Sequence, residues 1–127
     1  MQTRDQRYAI QILKQVQAIK RHPEYKESLY KKYGAISFQL PILIHSAGLA
    51  QALAYVESRK EQIFKDFLRD LSITICKGES LCEQARNVEL PEYILLSRQV
   101  LAALLWYKRF AQSILDVDAE ETLEPVP

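Results

Sequence analysis

Glycine is scarce in this chain, with three residues among 127, while Ala, Leu, Gln, Lys and Glu abound. Local propensity therefore favours helices, and no segment reads as a strand. Cysteine is nearly as rare. Cys76 and Cys82 flank Gly78 without CxxC spacing and without a histidine nearby, which leaves a zinc site short of ligands. They read as two small, partly buried hydrophobes in a reducing compartment. Only two histidines occur, His22 and His45, 23 residues apart. Neither has a glutamate three positions before it, so the Glu-x-x-His pattern of di-iron bundles is missing. HExxH, a glycine-rich phosphate loop and GxSxG are missing too. His45 reads as a hydrogen-bonded edge or core histidine on an apolar helix, and His22 as a favourable partner of a helix C-terminus. No catalytic residue, metal or cofactor is expected, and the chain reads as a binding or structural subunit.

An apolar run long enough to span a bilayer is also lacking. From Leu40 to Val56, 12 of 17 residues are Ala, Val, Ile, Leu or Tyr, but Pro41, His45, Ser46, Gly48 and Gln51 interrupt them. A spanning helix needs about 20 mostly apolar residues, and the other apolar block, Val100 to Tyr107, is eight long. No N-terminal segment combines a basic start, an apolar stretch and a cleavage site, so a cytoplasmic protein without a membrane partner is expected. Hydrophobic residues at 48% and charged residues at 26% are ordinary for one folded domain.

Net charge is +1, a figure that conceals an asymmetry. The last twelve residues carry five acids and no base, leaving 17 basic against 11 acidic residues in 1–115. Residues 1–60 hold ten basic and four acidic side chains, so the excess lies in the N-terminal half, interleaved with tyrosines. An anionic partner would fit that half, as would a merely solvated face.

Periodicity places the elements. Thr3 and Gln6 form a capping-box signal for a helix to about Arg21, with Tyr8, Ile12, Val16 and Ile19 on one face. His22-Pro23 ends it. A second helix is expected over 24–33, with Gly34 as a left-handed cap. A third is expected over 38–46, with Pro41 in its first turn. Gly48 marks a cap or kink before a helix from Leu49 to about Lys60. Glu61 to Cys76 is amphipathic and closed by Lys77-Gly78, and a short helix over 80–88 precedes Pro91. The last helix carries Tyr93, Leu96, Val100, Ala103, Tyr107, Phe110 and Ile114 at alternating intervals of three and four, with Leu101, Leu104 and Leu105 widening the stripe. The expected fold is all-α: a compact antiparallel bundle of six to seven helices with a long C-terminal helix, formed by residues 1–115. The acidic segment 116–127 is expected to be a disordered tail. A helix-turn-helix reader of DNA is excluded, because the helix after Gly48, "LAQALAYVESR", offers little to base edges.

Two segments carry a resemblance. "LPILIHSAGLAQALAYVESR" (40–59) and "YILLSRQVLAALLWYKRFAQSIL" (93–115), with Thr3, Arg4, Gln6 and Ala9, resemble the small helical subunit of the type III-B CRISPR effector complex, the Cmr module. The motif residues include Trp106, Lys108, Arg109, Phe110 and Ala111; the acidic tail and "LYKKYGAISF" are not part of that pattern. The resemblance implies an α bundle without an active site. Its partners would be other effector subunits, further copies of itself, and guide and target RNA, in antiviral defence. Cutting would belong to other subunits.

A guide–target duplex is gripped mainly through phosphates, so Lys and Arg without base-edge chemistry suffice. Lys108 and Arg109 flank the apolar seam, and Arg98, ten residues before Lys108, is read as returning towards the same face. With Lys14, Lys20 and Arg21 on the first helix, and the basic pair Arg59-Lys60, they make the expected RNA-binding set. The alternative is a helical adaptor that binds only protein.

Overall fold

The computed structural model describes residues 1–118; the acidic segment beyond Asp118 lies outside the described residues. Those described contain six α-helices and no strand. Helix α1 spans Arg4–Arg21. Its capping box forms as read: Gln6 N–H donates to Thr3 Oγ1 at 3.1 Å and Thr3 N–H donates to Gln6 Oε1 at 2.8 Å. Tyr8, Ile12, Val16 and Ile19 are all buried.

The next element departs from the expectation of two helices. Helix α2 runs unbroken over Glu27–Ala47, with Gly34 and Pro41 both inside it. Gly34 is helical because the space, not the backbone, requires glycine. A Cβ there would lie 2.8 Å from Val117 Cγ2 and 3.0 Å from Ala111 Cβ. Pro41 removes one donor to the helix ladder, a defect that costs about 3 kcal/mol in an isolated helix. Burial on both sides of it outweighs that local signal, since Ile36, Leu40, Leu43 and Ile44 all enter the core.

Gly48 then turns the chain at φ 88°, a conformation that favours glycine, into α3, Leu49–Ser58. Helix α4, Gln62–Cys76, closes on left-handed Lys77 and on Gly78 at φ 101°. Helix α5, Leu81–Asn87, starts at Ser80, whose hydroxyl accepts from Glu83 N–H. Helix α6, Leu90–Ile114, has 25 residues and Pro91 in its first turn.

The long helix packs on α1 and α2. Against α2 it runs antiparallel: Gly34 lies at Ala111, Phe38 under Lys108, and Ala50 N–H, just past Gly48, donates to Tyr93 Oη at 3.0 Å. Helices α1 and α4 are antiparallel too, with Gln15 at Asp70 and Thr74 and Tyr25, just past the end of α1, at Asp66. Helix α1 runs in the same sense as α6, since Gln15 meets Tyr107 and Lys20 meets Ile114. Of the expected seam, Leu96, Val100, Ala103 and Tyr107 are buried, while Tyr93, Phe110 and Ile114 are half-buried. Leu104 is buried, but Leu105 is 60% exposed, so the stripe is narrower than expected on that side. The packed chain continues past Leu115 to Val117, whose N–H donates to Ala111 carbonyl at 3.0 Å and whose side chain covers Gly34.

Gly34→Ala tests this close approach. Overpacking costs about 1–3 kcal/mol, against roughly 1 kcal/mol returned by helix propensity. A net loss of stability in urea unfolding is expected, relieved when Val117→Ala is added. A Gly34→Ala variant more stable than the parent would contradict the steric account.

Candidate nucleic-acid interface

The eight expected RNA-binding residues do not form one patch. On α6, Lys108 and Arg109 are adjacent in sequence and so about 100° apart around the helix. Lys108 is half-buried on the α2 side, with Nζ 5.2 Å from the Phe38 ring centroid. Arg109 is exposed on the α1 side, in a cleft with Arg4, Asp5, Ala102, Leu105 and Trp106. Arg98 joins Arg109, not Lys108. Ten residues of helix leave it about 80° from Lys108, and eleven bring it within about 20° of Arg109. The expectation that Arg98 shares the Lys108 face is therefore corrected.

On α1, Lys14 and Arg21 are seven residues apart and share a stripe that also holds Arg7. Lys20 lies off it and is engaged elsewhere. Its Nζ donates to the Ile114 carbonyl at 2.7 Å, meeting an orphan acceptor at the end of α6, and lies 6.0 Å from the Tyr30 ring centroid. Arg59 is half-buried, with its guanidinium 4.6 Å from the Phe64 ring centroid and 3.8 Å from Glu61. Lys60 beside it is exposed. Among the described residues, Lys14, Arg21, Lys60, Arg98 and Arg109 make no ion pair, as free phosphate-binding groups should.

Two clefts flank α1, and their electrostatics differ. The cleft towards α4, about 520 Å³, is lined by Lys14, His22, Tyr25, Asp66 and Arg69, with Glu24 and Asp70. Its floor is acidic. Asp66 accepts from Tyr25 Oη, from Gln62 Nε2 at 3.0 Å and from Arg69 at 3.2 Å. Asp70 accepts from Tyr33 Oη at 2.7 Å and from Arg69 at 3.5 Å. Arg69 is thus already committed, and buried carboxylates repel a phosphate. Burial raises the Asp70 carboxyl above the usual range, against the lowering effect of Tyr33 and Arg69. The same burial, aided by Asp66, pushes Tyr25 up to about 12. The cleft towards α6, about 440 Å³, places Arg4 and Arg109 against one acid, Asp5, and Arg98 stands one turn beyond Ala102. It is the better anion site.

Arg4 and Trp106 were missed as site residues, although both lie in motifs quoted from the sequence. The signal for their neighbourhood was the series Ile94, Arg98, Ala102, Leu105, Arg109, which follows the helical repeat on one face of α6.

A family model described as a CRISPR-associated protein, Cas_Cmr5, matches residues 4–114, from the first residue of α1 to the last of α6. The chain belongs to the Cas_Cmr5 family. It is similar to the CRISPR system Cmr subunit Cmr5 of Thermus thermophilus, 41% identical over 87 residues, which make up 67% of this chain and 76% of that protein. It is also similar to the X-ray crystal structure of a CRISPR-associated Cmr5 family protein from Thermus thermophilus. That likeness has a TM-score of 0.79 at 36% identity and covers 90% of this chain and 98% of that one. The family resemblance read from the central and C-terminal motifs is therefore correct. In this Cmr5-family chain the acidic tail lies beyond the matched residues.

Among the described residues, no group of three or more His, Cys, Asp or Glu could hold a metal ion, and no helix is long and apolar enough to cross a membrane. His45 is exposed, so of the two expected placements, edge or core, it takes the edge. His22 turns back on the chain: its Nδ1 accepts from Glu24 N–H at 3.1 Å and its ring stacks on Tyr25 at 4.2 Å. Both cysteines are free, and burial raises Cys76 and pushes Cys82 up to about 11, so neither thiol is primed to ionise.

The raised Asp70 pKa has a definite sign. The folded state holds its proton more tightly than the unfolded chain, so stability from this group is present below the ordinary aspartate range and is lost as pH rises through the raised value. The stability of the parent relative to Asp70→Asn should therefore be greatest at acid pH and shrink towards neutrality, as measured by urea unfolding across the acid range. A parent-minus-variant difference that grows with pH would refute the assignment.

Proposed function

We propose that this chain is a non-catalytic small subunit of a type III-B Cmr ribonucleoprotein, active in antiviral defence. It stacks with other effector subunits, including further copies of itself, and its basic surface helps hold guide and target RNA. The observation that carries the reading is the family match over residues 4–114. A curated relative named as a Cmr subunit supports the partner subunits. The RNA contact is supported by chemistry: exposed Arg98 and Arg109 share one line of α6, Lys14 and Arg21 share a line of α1, and none makes an ion pair among the described residues. Phosphates need only such groups.

A helical adaptor that binds protein alone is favoured by one feature. Leu90, Ile94 and Leu95, at the N-terminal end of α6, are exposed large hydrophobics and suit a protein neighbour. That surface is compatible with a ribonucleoprotein, so salt dependence is what separates the two readings.

Oligoribonucleotide affinity should fall steeply with salt. The double variant Arg98→Glu, Arg109→Glu should weaken it and flatten the slope of log K against log salt, by about 0.7 for each single-strand phosphate that is no longer neutralised. Lys108→Glu, on the other shoulder of α6, tests whether a second face takes part. Affinity for RNA that neither varies with salt nor responds to these changes would favour the protein-only adaptor.

A further inference from the structure

We propose that the cleft between the start of α1 and the outer face of α6 receives one unpaired base of single-stranded RNA. The base stacks on Trp106, and Arg4 and Arg109 hold the flanking phosphates. The proposal rests on the RNA reading above and adds a contact to the base itself, which phosphate gripping does not require.

Trp106 is the only tryptophan in the chain. Its neighbours Ala103, Leu104 and Tyr107 are at most 1% exposed, yet Trp106 itself is only half-buried and lines the cleft. Phe110 stacks on the indole at 5.8 Å and 28°, which restrains the plane of a ring that lines the cleft. A rigid aromatic surface beside solvent is what a nucleobase stacks on, whatever its identity.

The charges agree with that ligand. Arg4 is held over Tyr8, 5.6 Å from the ring centroid, and Arg109 stands on the opposite wall. Among the described residues neither arginine has an ion-pair partner. Asp5 offers only an acceptor, so its corner suits a base amino group or a ribose hydroxyl and not a phosphate. The volume, about 440 Å³, lies within the range of small-ligand sites. A purely apolar protein side chain would instead cover two arginines without neutralising them, which is costly. Exposed Leu105 completes the wall and adds apolar contact for the base edge.

Because Trp106 is the sole tryptophan, its emission reports on the cleft directly. A short oligoadenylate and an abasic ribose-phosphate oligomer of equal length would be titrated into the full chain at low salt, with fluorescence anisotropy of an end label reporting binding. Oligoadenylate is expected to quench Trp106 emission, shield it from iodide and bind about tenfold or more tightly than the abasic oligomer. Trp106→Ala should abolish that preference and Trp106→Phe should keep most of it, with circular dichroism confirming the helical fold of each. Equal binding of both oligomers with unchanged Trp106 emission would overturn the stacking site and leave the RNA reading standing. Absence of binding by either oligomer overturns both. Emission that changes with protein concentration alone overturns the proposal by showing that the face pairs with protein. If Trp106→Ala does not fold, the comparison of the two oligomers on the parent chain still decides.

Discussion

The hydroxyl of Tyr107, a buried residue, lies at the meeting of three helices. It donates to Gln15 Oε1 on α1 and lies 3.3 Å from Thr74 Oγ1 on α4. Gln15 Nε2 in turn donates to the Asp70 carbonyl at 2.9 Å and to Thr74 Oγ1 at 3.1 Å. Tyr33 on α2 brings in the fourth helix through its bond to Asp70. Buried polar groups must be paired or they cost free energy, so this cluster admits few alternative registers among α1, α2, α4 and α6. The rings of Tyr33, Phe67 and Tyr107 pack edge-on or tilted around it, with centroids 5.1 to 6.4 Å apart. Burial accordingly raises the pKa of both tyrosines, so they stay neutral donors.

Everything outward of that cluster follows from how it orients the helices. With Tyr107 turned inward, its neighbours on α6 are divided between two shoulders: Lys108 over Phe38 on α2, Arg109 facing Arg4 on α1. With Asp70 turned inward on α4, Arg69 is drawn to the two carboxylates, and the cleft between α1 and α4 becomes acid-floored. The contrast between the two clefts is thus a by-product of core packing. It also makes the cleft towards α6 the more basic of the two.

Much of the fold was legible. The capping box, the Gly48 kink, the Lys77-Gly78 stop and the apolar face of α1 are local signals, and each acts where it stands. The division of α2 was misread because Gly34 and Pro41 are punctuation only when nothing outside the helix overrides them. Val117, 83 residues along the chain from Gly34, supplies the close approach that makes glycine necessary there. The candidate site was less legible still. Charge type and exposure can be guessed along a helix, but Lys20 and Arg59 are taken up by a distant carbonyl and a nearby ring.

By itself, then, the amino-acid sequence determined an all-helical chain, the family to which it belongs, and a basic excess ahead of an acidic tail. These depend on propensity, spacing and composition, which do not require knowing what lies across the core. The tertiary structure alone decided that Arg4 and Trp106 complete the cleft beside Arg109, and that the neighbouring cleft has Asp66 and Asp70 in its floor. Those outcomes depend on which helix faces which, and that is set by the pairing of buried polar groups between segments far apart in the chain.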